Sequence, residues 1–324
     1  MSLPLYVAIA AAGRPALLAR TLESLSRCIK PAGYAGTLVV ENGPPSGISS
    51  VVQGFGRQHR FRYLYTKEAN KSHAMNVALE HLDDAIVMFT DDDVRFDPAI
   101  LTAYMQAAEG VEGGQCYGGP LGIDLEGEPF PPWLMRYLPP SAVGWELDAV
   151  TKTRLRKPWF IGPNWAAFTR DVWAVGGHDP RVGPGTKADS TGEETNLQRR
   201  LHLHGVEGYY LPDARVWHFV SRKCGSPEWI LHRAYRHGLG WGVVRRTRLR
   251  PYVLAAFWSW LCSLPPGACA LCLRAFGGPK AVFHARWLQA KWQGRLRGLR
   301  MARNWSEHPP RAPSDDTTSF SDAA

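Results

Sequence analysis

The chain has 324 residues, 45% apolar and 21% charged, with 38 Lys and Arg against 29 Asp and Glu for a formal net charge of +9. This length gives one large or two small domains with a sizeable core, and the apolar share excludes a disordered chain. The 32 Gly and 25 Pro follow no period, which excludes collagen-like and low-complexity architectures.

The opening MSLPLYVAIAAAGRP has a short apolar stretch but no basic n-region and ends in Gly-Arg-Pro, so it reads as a first buried strand, LYVAIAA (5–11), rather than a signal peptide. PALLARTLESLSRC reads as a helix with Pro near its start. GTLVVEN (36–42) and FRYLYTKE (61–68) are a second and third strand, NKSHAMNVALEHL (70–82) a helix, and AIVMFT (85–90) a fourth strand running into three aspartates. Strands alternating with helices predict a mostly parallel sheet with helices on both faces. Ligands of such sheets bind beyond the carboxyl ends of the strands. Arg14, Glu41, Lys67 to Lys71 and Asp91 to Asp93 all follow strands, so they are expected on one edge.

Past Gly113 the pattern loosens. GGQCYGGPLGI reads as one further strand, 125–157 as a Pro- and Trp-rich loop region, and WFIGPNWAAFTRD as strand-like. GGHDPRVGPGTKADSTG is a glycine-rich loop, EETNLQRRLHLHG a helix, YYLP and ARVWHFV strands, and PEWILHRAYRHG a helix. No internal repeat is found. Six cysteines (28, 116, 224, 262, 269, 272) form no paired framework. Cys269 and Cys272 have CxxC spacing but lie in an apolar run with no second pair, so free thiols in a reducing compartment are expected.

The charge is concentrated. From Arg222 to Arg303 there are 16 Lys and Arg and one acid, Glu228, while the remainder holds 22 basic and 28 acidic residues. Within that basic third, Pro251 to Leu273 carries no charge. Its length permits a membrane span, but Pro265-Pro266-Gly267 at the centre argues against one straight helix, and two short interfacial helices fit better. HARWLQAKWQGRLRGLRMARNW then alternates basic residues with Trp and Leu, a composition suited to an anionic lipid surface. A buried apolar hairpin followed by a solvated basic helix competes with this reading. Nucleic acid is not the expected partner, because no reading module is found. The expected domains are 1–245, catalytic; 246–303, basic, apolar and helical; and 304–324, a disordered tail.

Three features carry chemistry. In FTDDDV, three acids at the end of a buried strand cannot all be comfortably ionised without a cation, and a hard divalent ion would neutralise a diphosphate leaving group. A solvated acidic turn is the bland alternative. A phosphatase-type nucleophile would continue Gly-Thr, whereas Val94-Arg95 follows. In GEETNLQRRL, Glu193 and Glu194 open a helix whose positive end favours an ionised carboxylate, a possible general base toward an acceptor hydroxyl, with simple dipole complementation as the competing role. His218, on a late strand, matters only as a further ligand to the same cation.

Together, AAAGRPALLARTLESL, LVVENGP, KEANKSHAMNVAL, FTDDDVRFDPAIL, WFIGPNWAAFTRDVWAVGGHDPRVG and GEETNLQRRL resemble glycosyltransferase family 2 on a GT-A fold, over roughly residues 3–245. The resemblance implies an inverting transfer from a nucleotide-diphosphate sugar, most often a UDP-sugar, with GDP and dTDP donors open. Ala12, Arg14, Glu41, Asn70, Lys71, Asn76, Asp91 and Asp92 are then the nucleotide-sugar side, Glu41 standing where the family has Asp. Asp93, Asp91 and His218 hold a divalent metal, Mn or Mg. Gly162, Asn164 and Trp165 lie on the acceptor side. Glu194 is the expected base, with Glu193 as runner-up. Trp133, Trp145, Trp165 and Trp241 are candidate stacking faces for sugar rings. WHFVSRKCGSPEWILHRAYRHGLGWG is similar to membrane-associated members that build polysaccharides, so a glycan or polyprenyl-linked acceptor at the cytoplasmic face of the membrane is expected. A sugar nucleotidylyltransferase would need a GxGTR-type loop that AAAGRP does not supply, and a non-catalytic basic surface-binding protein would lack the site acids.

Overall fold

The computed structural model describes residues 3–157, 159–244, 253–254, 256–258 and 266–303. Its first part follows the expected alternation: β1 (Leu5–Ala11), α1 (Pro15–Ser26), β2 (Tyr34–Asn42), α2 (Ile48–Gly54), β3 (Phe61–Thr66), α3 (Lys71–Glu80) and β4 (Ile86–Asp91). β5 (Val94–Phe96), α4 (Ile100–Ala107), β6 (Gln115–Gly118), β7 (Leu121–Leu125), α5 (Pro132–Met135), α6 (Pro140–Val143) and β8 (Thr153–Leu155) follow. β9 (Trp165–Phe168), α7 (Thr169–Ala174), α8 (Glu193–Leu203), β10 (Glu207–Tyr210), β11 (Val216–Val220), α9 (Pro227–Val244) and α10 (Pro266–Arg303) complete it.

One eight-stranded sheet has the order β3-β2-β1-β4-β9-β6-β10-β8, with β9 antiparallel to both neighbours and β8 antiparallel to β10. A three-stranded sheet, β5-β11-β7, stands beside it. β1 is apolar on both faces because both are covered, as a central parallel strand requires. Val7 and Ile9 pack with Leu18, Leu22 and Leu25 of α1 in one layer, and Ala8 and Ala10 with Ala74, Met75 and Ala78 of α3 in the other. The register places Ala10 beside Asp91, so the loops after β1 and β4 emerge together.

Two expected strands are corrected. GGQCYGGPLGI is two strands, β6 and β7, in different sheets. They part at Gly119, where an added Cβ would lie 2.0 Å from the Ala214 carbonyl oxygen, so only glycine lets the chain cross there. In WFIGPNWAAFTRD only Trp165–Phe168 pairs as a strand, and Thr169–Ala174 is helix α7. Upstream, the Gln198 side chain replaces a strand partner: its Oε1 accepts from the Phe160 amide at 2.9 Å and its amide donates to the Phe160 carbonyl at 3.3 Å.

The helix expected at 227–238 continues to Val244, and α10 runs alongside it. Gly238 and Gly242 of α9 face Gly294 and Gly298 of α10, letting the two backbones touch. An added Cβ on Gly238 would meet the Lys291 carbonyl oxygen at 2.1 Å, and one on Gly298 the Leu239 carbonyl oxygen at 2.3 Å. α10 kinks at Gly278 (φ +66°), just before Pro279. Phe283 and Trp287 beyond the kink pack on Tyr137 and Ile230 of the body. No helix among the described residues is long and apolar enough to cross a membrane. The Pro265 turn and the tail from 304 lie outside the described residues.

The glycine crossing predicts that Gly238→Ala lowers unfolding free energy by roughly 2–3 kcal/mol, because the helices must separate. Gly54→Ala, at the end of α2 with open space around it, should be neutral or stabilising by about 0.5–1 kcal/mol. Denaturant melts of both variants check this.

Candidate active site

The aspartate turn is held from two sides. The Thr21 hydroxyl of α1 donates to the Asp92 carbonyl at 2.9 Å and accepts from the Val94 amide at 3.1 Å. The Phe219 amide of β11 donates to the Asp93 carbonyl at 2.8 Å. Arg14 pairs with Asp92, and its Nη1 lies 2.6 Å from Asp93 Oδ2. His218, beside Val94 in the β5–β11 register, brings Nε2 to 3.3 Å from Asp93 Oδ1. Burial tends to raise the Asp93 carboxyl, but His218 and Arg14 outweigh it and hold it below the ordinary carboxylate range. Burial lifts Asp92 despite Arg14.

Asp91, Asp93 and His218 each offer a ligand atom, all within 4.8 Å of one another. Asp93 Oδ1 is buried and accepts no hydrogen bond among the described residues. Two carboxylates and an imidazole nitrogen suit Mn²⁺ or Mg²⁺, so the residues fit the cation that the sequence pattern implies.

Lys71 joins this turn to the helix acids. Its Nζ sits 2.6 Å from Asp91 Oδ1 and 3.1 Å from Glu193 Oε1. Burial would lower the Lys71 ammonium, but Asp91 and Glu193 raise it well above the ordinary lysine value, so it stays protonated. Glu193 also accepts from the Gly192 amide at 3.1 Å. Burial works to raise Glu193, yet the Lys71 charge brings it down. The adjacent Glu194 moves the opposite way: burial and the neighbouring Glu193 charge raise it, Lys71 only partly opposing. Its Oε2 is buried with no hydrogen-bond partner among the described residues. Gly162 lies against this carboxylate, where an added Cβ would stand 3.0 Å from Glu194 Oε1. Lys71, Asp91, Gly162, Glu193, Glu194 and His218 line one cavity of about 610 Å³, a size that takes a small ligand.

Other expected site residues are placed differently. Ala12 is exposed at the end of β1. Glu41 is buried, its oxygens taken by the Ser46 amide (2.6 Å) and hydroxyl (2.8 Å) and the Tyr63 hydroxyl (2.6 Å). Asn70 caps α3, accepting from the His73 amide and donating to the Pro180 carbonyl. Asn76 bonds both the amide and the carbonyl of His178, pinning the glycine-rich loop to α3. Asn164 and Trp165, expected on the acceptor side, both lie in the core. Asn164 is wholly buried, accepting from the Tyr104 hydroxyl at 2.7 Å and donating to the Pro120 and Ala214 carbonyls. Trp165 is buried and stacked on Phe89, with ring centroids 4.7 Å apart, so it presents no face to a sugar. Among the other Trp candidates, Trp133 packs on Tyr137 and Phe283, Trp145 packs edge-on against Tyr210, and Trp241 lines the cavity.

The sequence reading missed Trp159, Arg233, Arg236 and His237, which also line the cavity. The signal lay in RAYRH, whose basic residues at i, i+3 and i+4 share one face of α9.

A mostly parallel sheet with an aspartate turn at a strand end, three residues grouped so that they could hold a cation, and two carboxylates at a helix start describe an α/β fold of the GT-A type. Residues 4–237 match the model of the glycosyltransferase like family 2, and the chain belongs to that family and is a glycosyltransferase. Similar solved structures include a mannosyltransferase from Pyrobaculum calidifontis in complex with GDP-Man and Mn²⁺. It is 17% identical with a TM-score of 0.57, over 91% of this chain and 88% of that one. GalNAc-T7 with UDP, GalNAc and Mn²⁺ is 12% identical (TM-score 0.56) over 84% of this chain and 54% of that one. Staphylococcus aureus TarS 1-349 with UDP-GlcNAc is 12% identical (TM-score 0.51) over 91% and 90%. No curated protein sequence matches the chain.

Because Asn164 spends all its hydrogen bonds inside the fold, Asn164→Ala should lower unfolding free energy by roughly 2–4 kcal/mol. Near-normal stability with only a raised acceptor KM would restore a substrate-binding role.

Proposed function

We propose that the protein is a metal-dependent, inverting glycosyltransferase that moves a sugar from a nucleoside-diphosphate donor to a glycan or lipid-linked hydroxyl at the cytoplasmic membrane face. The observation that carries this reading is the Lys71 bridge, which ties the Asp91–Asp93–His218 group to the Glu193–Glu194 pair within one cavity. The GDP-Man and UDP-GlcNAc of two structural neighbours, and the UDP and GalNAc of a third, support a nucleotide-sugar donor; a UDP-sugar is our first expectation.

The residues divide the work. Once deprotonated, the Glu194 carboxylate takes the proton of the acceptor hydroxyl through its unpartnered Oε2. The acceptor oxygen bonds to the anomeric carbon as the bond from that carbon to the diphosphate breaks, and the electron pair leaves with the diphosphate. Asp91, Asp93 and His218 would hold a divalent cation, which would supply Lewis-acid charge to that leaving group. Lys71, held protonated, adds a fixed positive charge beside it, and Glu193 holds Lys71 in place. Gly162 leaves room for the base, and no covalent enzyme intermediate is required.

The membrane reading rests on the basic C-terminal third and on exposed apolar side chains at Val253, Leu254, Phe257 and Trp258. Together they give an apolar contact backed by positive charge, the two signals stable surface anchoring needs.

Two measurements check these points. Glu194→Gln should reduce release of nucleoside diphosphate from the donor by about 10²–10⁴-fold while donor binding persists. The wild-type rate should climb with pH along a limb above the ordinary carboxylate value, since the base must be deprotonated. Glu193→Gln should shift that limb to lower pH by removing the neighbouring charge. Separately, the full chain should co-sediment with vesicles containing anionic lipid, and the Leu254→Ser/Phe257→Ser double variant should lose most of that binding. Equal sedimentation of both would remove the membrane reading.

A further inference from the structure

The transfer step derived above leaves the basic wall of the cavity without a task. Arg199, Arg233, Arg236 and His237 line the same space as Glu194. Arg236 is already engaged, donating to the Asp189 side chain at 2.9 Å and to its carbonyl at 2.7 Å. Arg233, one α-helical turn earlier on α9, differs. Its Nη1 is buried and has no hydrogen-bond partner among the described residues.

A guanidinium withdrawn from water with an open donor is unfavourable unless an anion completes it. Glu194 is the acid whose charge acts most on Arg233, followed by Glu193. No hydrogen bond joins Arg233 to either among the described residues, and Glu193 is committed to Lys71. Beside Thr191 Oγ1 and His218 Nδ1, the unpartnered buried atoms of the cavity-lining residues include two of opposite character: Glu194 Oε2, which wants a donor, and Arg233 Nη1, which wants an acceptor. A neutral sugar hydroxyl satisfies the first. The second calls for a group with paired anionic oxygens, which the planar guanidinium fork matches. The cations expected at the leaving diphosphate, Arg14 and Lys71, follow β1 and β3 and are paired to the aspartate turn. Arg233 comes from α9 and has no ion pair with that turn among the described residues.

We propose that Arg233 anchors an anion subsite on the acceptor side of the cavity, so that the acceptor is a saccharide carrying a phosphate or carboxylate near its reacting hydroxyl. Naming the ligand as the acceptor rests on the transferase reading; the anion subsite itself does not.

Calorimetry on the full-length protein tests it, with methyl phosphate, glucuronate and neutral methyl glucoside as probes. Each is titrated into nucleotide-free protein and into protein saturated with UDP and Mn²⁺. At least one of the two anions should bind in both states, and the neutral glycoside more weakly. The anion that binds, phosphate or carboxylate, identifies the acceptor group. Arg233→Gln should weaken anion binding at least tenfold and Arg233→Lys less, with UDP–Mn²⁺ affinity kept within threefold in both. An absence of anion binding in wild type overturns the proposal, as does a neutral glycoside binding equally well. A parallel loss of UDP affinity in Arg233→Gln would assign Arg233 to the donor diphosphate instead. If wild type binds methyl phosphate through Arg233 but no nucleotide, the transferase reading fails while the subsite stands.

Discussion

Lys71 is the contact on which the site depends. It is the first residue of α3, yet its ammonium reaches Asp91 at the end of β4 and Glu193 at the start of α8. Those two carboxylates come from segments 102 residues apart, and each would resist burial alone. Shared through one half-buried cation, they bring the aspartate turn and the helix acids to one cavity. The same contact separates the two glutamates. Glu193, beside Lys71, is kept ionised, and its charge pushes the adjacent Glu194 toward the protonated form. Two chemically identical neighbours are thereby driven to opposite protonation tendencies.

The far wall of that cavity is set by backbone packing. α9 presents Arg233, Arg236 and His237 inward, and its outer side is pressed against α10 through glycines on both helices. Beyond the Gly278 kink, α10 also packs on the α5 region and on Ile230. The helices that carry much of the basic charge are thus continuous with the cavity wall. Deleting the C-terminal third would strip the backing from α9 as well as any membrane contact, so side-chain substitutions report on membrane binding more cleanly.

The parallel half of the sheet was legible because β1, β2 and β4 are short unbroken apolar runs and the helices between them carry period-3.6 faces. The aspartate turn and the Glu193–Glu194 helix start were legible because acids beside buried strands and helix N-termini need a physical reason. What escaped were contacts set by backbone approach and burial rather than by pattern. The split of β6 from β7 depends on Gly119 meeting the Ala214 carbonyl, and the α9–α10 crossing on glycines 56 residues apart in sequence. Residue type does not reveal burial. Asn164 and Trp165 have side chains suited to a sugar, but both are sealed in the core by Tyr104 and Phe89. Arg233 was hidden in a generally basic segment, and its buried, unpartnered Nη1 distinguishes it from Arg236, which lines the same cavity but is paired with Asp189.

Asp91, Asp93 and His218 are proposed to hold a divalent cation for a nucleoside diphosphate. Calorimetric titration of UDP, GDP and dTDP with and without Mn²⁺, on wild type and Asp93→Ala, tests it most directly. The account predicts tight binding of one nucleotide only when Mn²⁺ is present, lost in Asp93→Ala while the variant keeps its fold by circular dichroism. Binding of no nucleotide, or binding indifferent to both Mn²⁺ and Asp93, would contradict it.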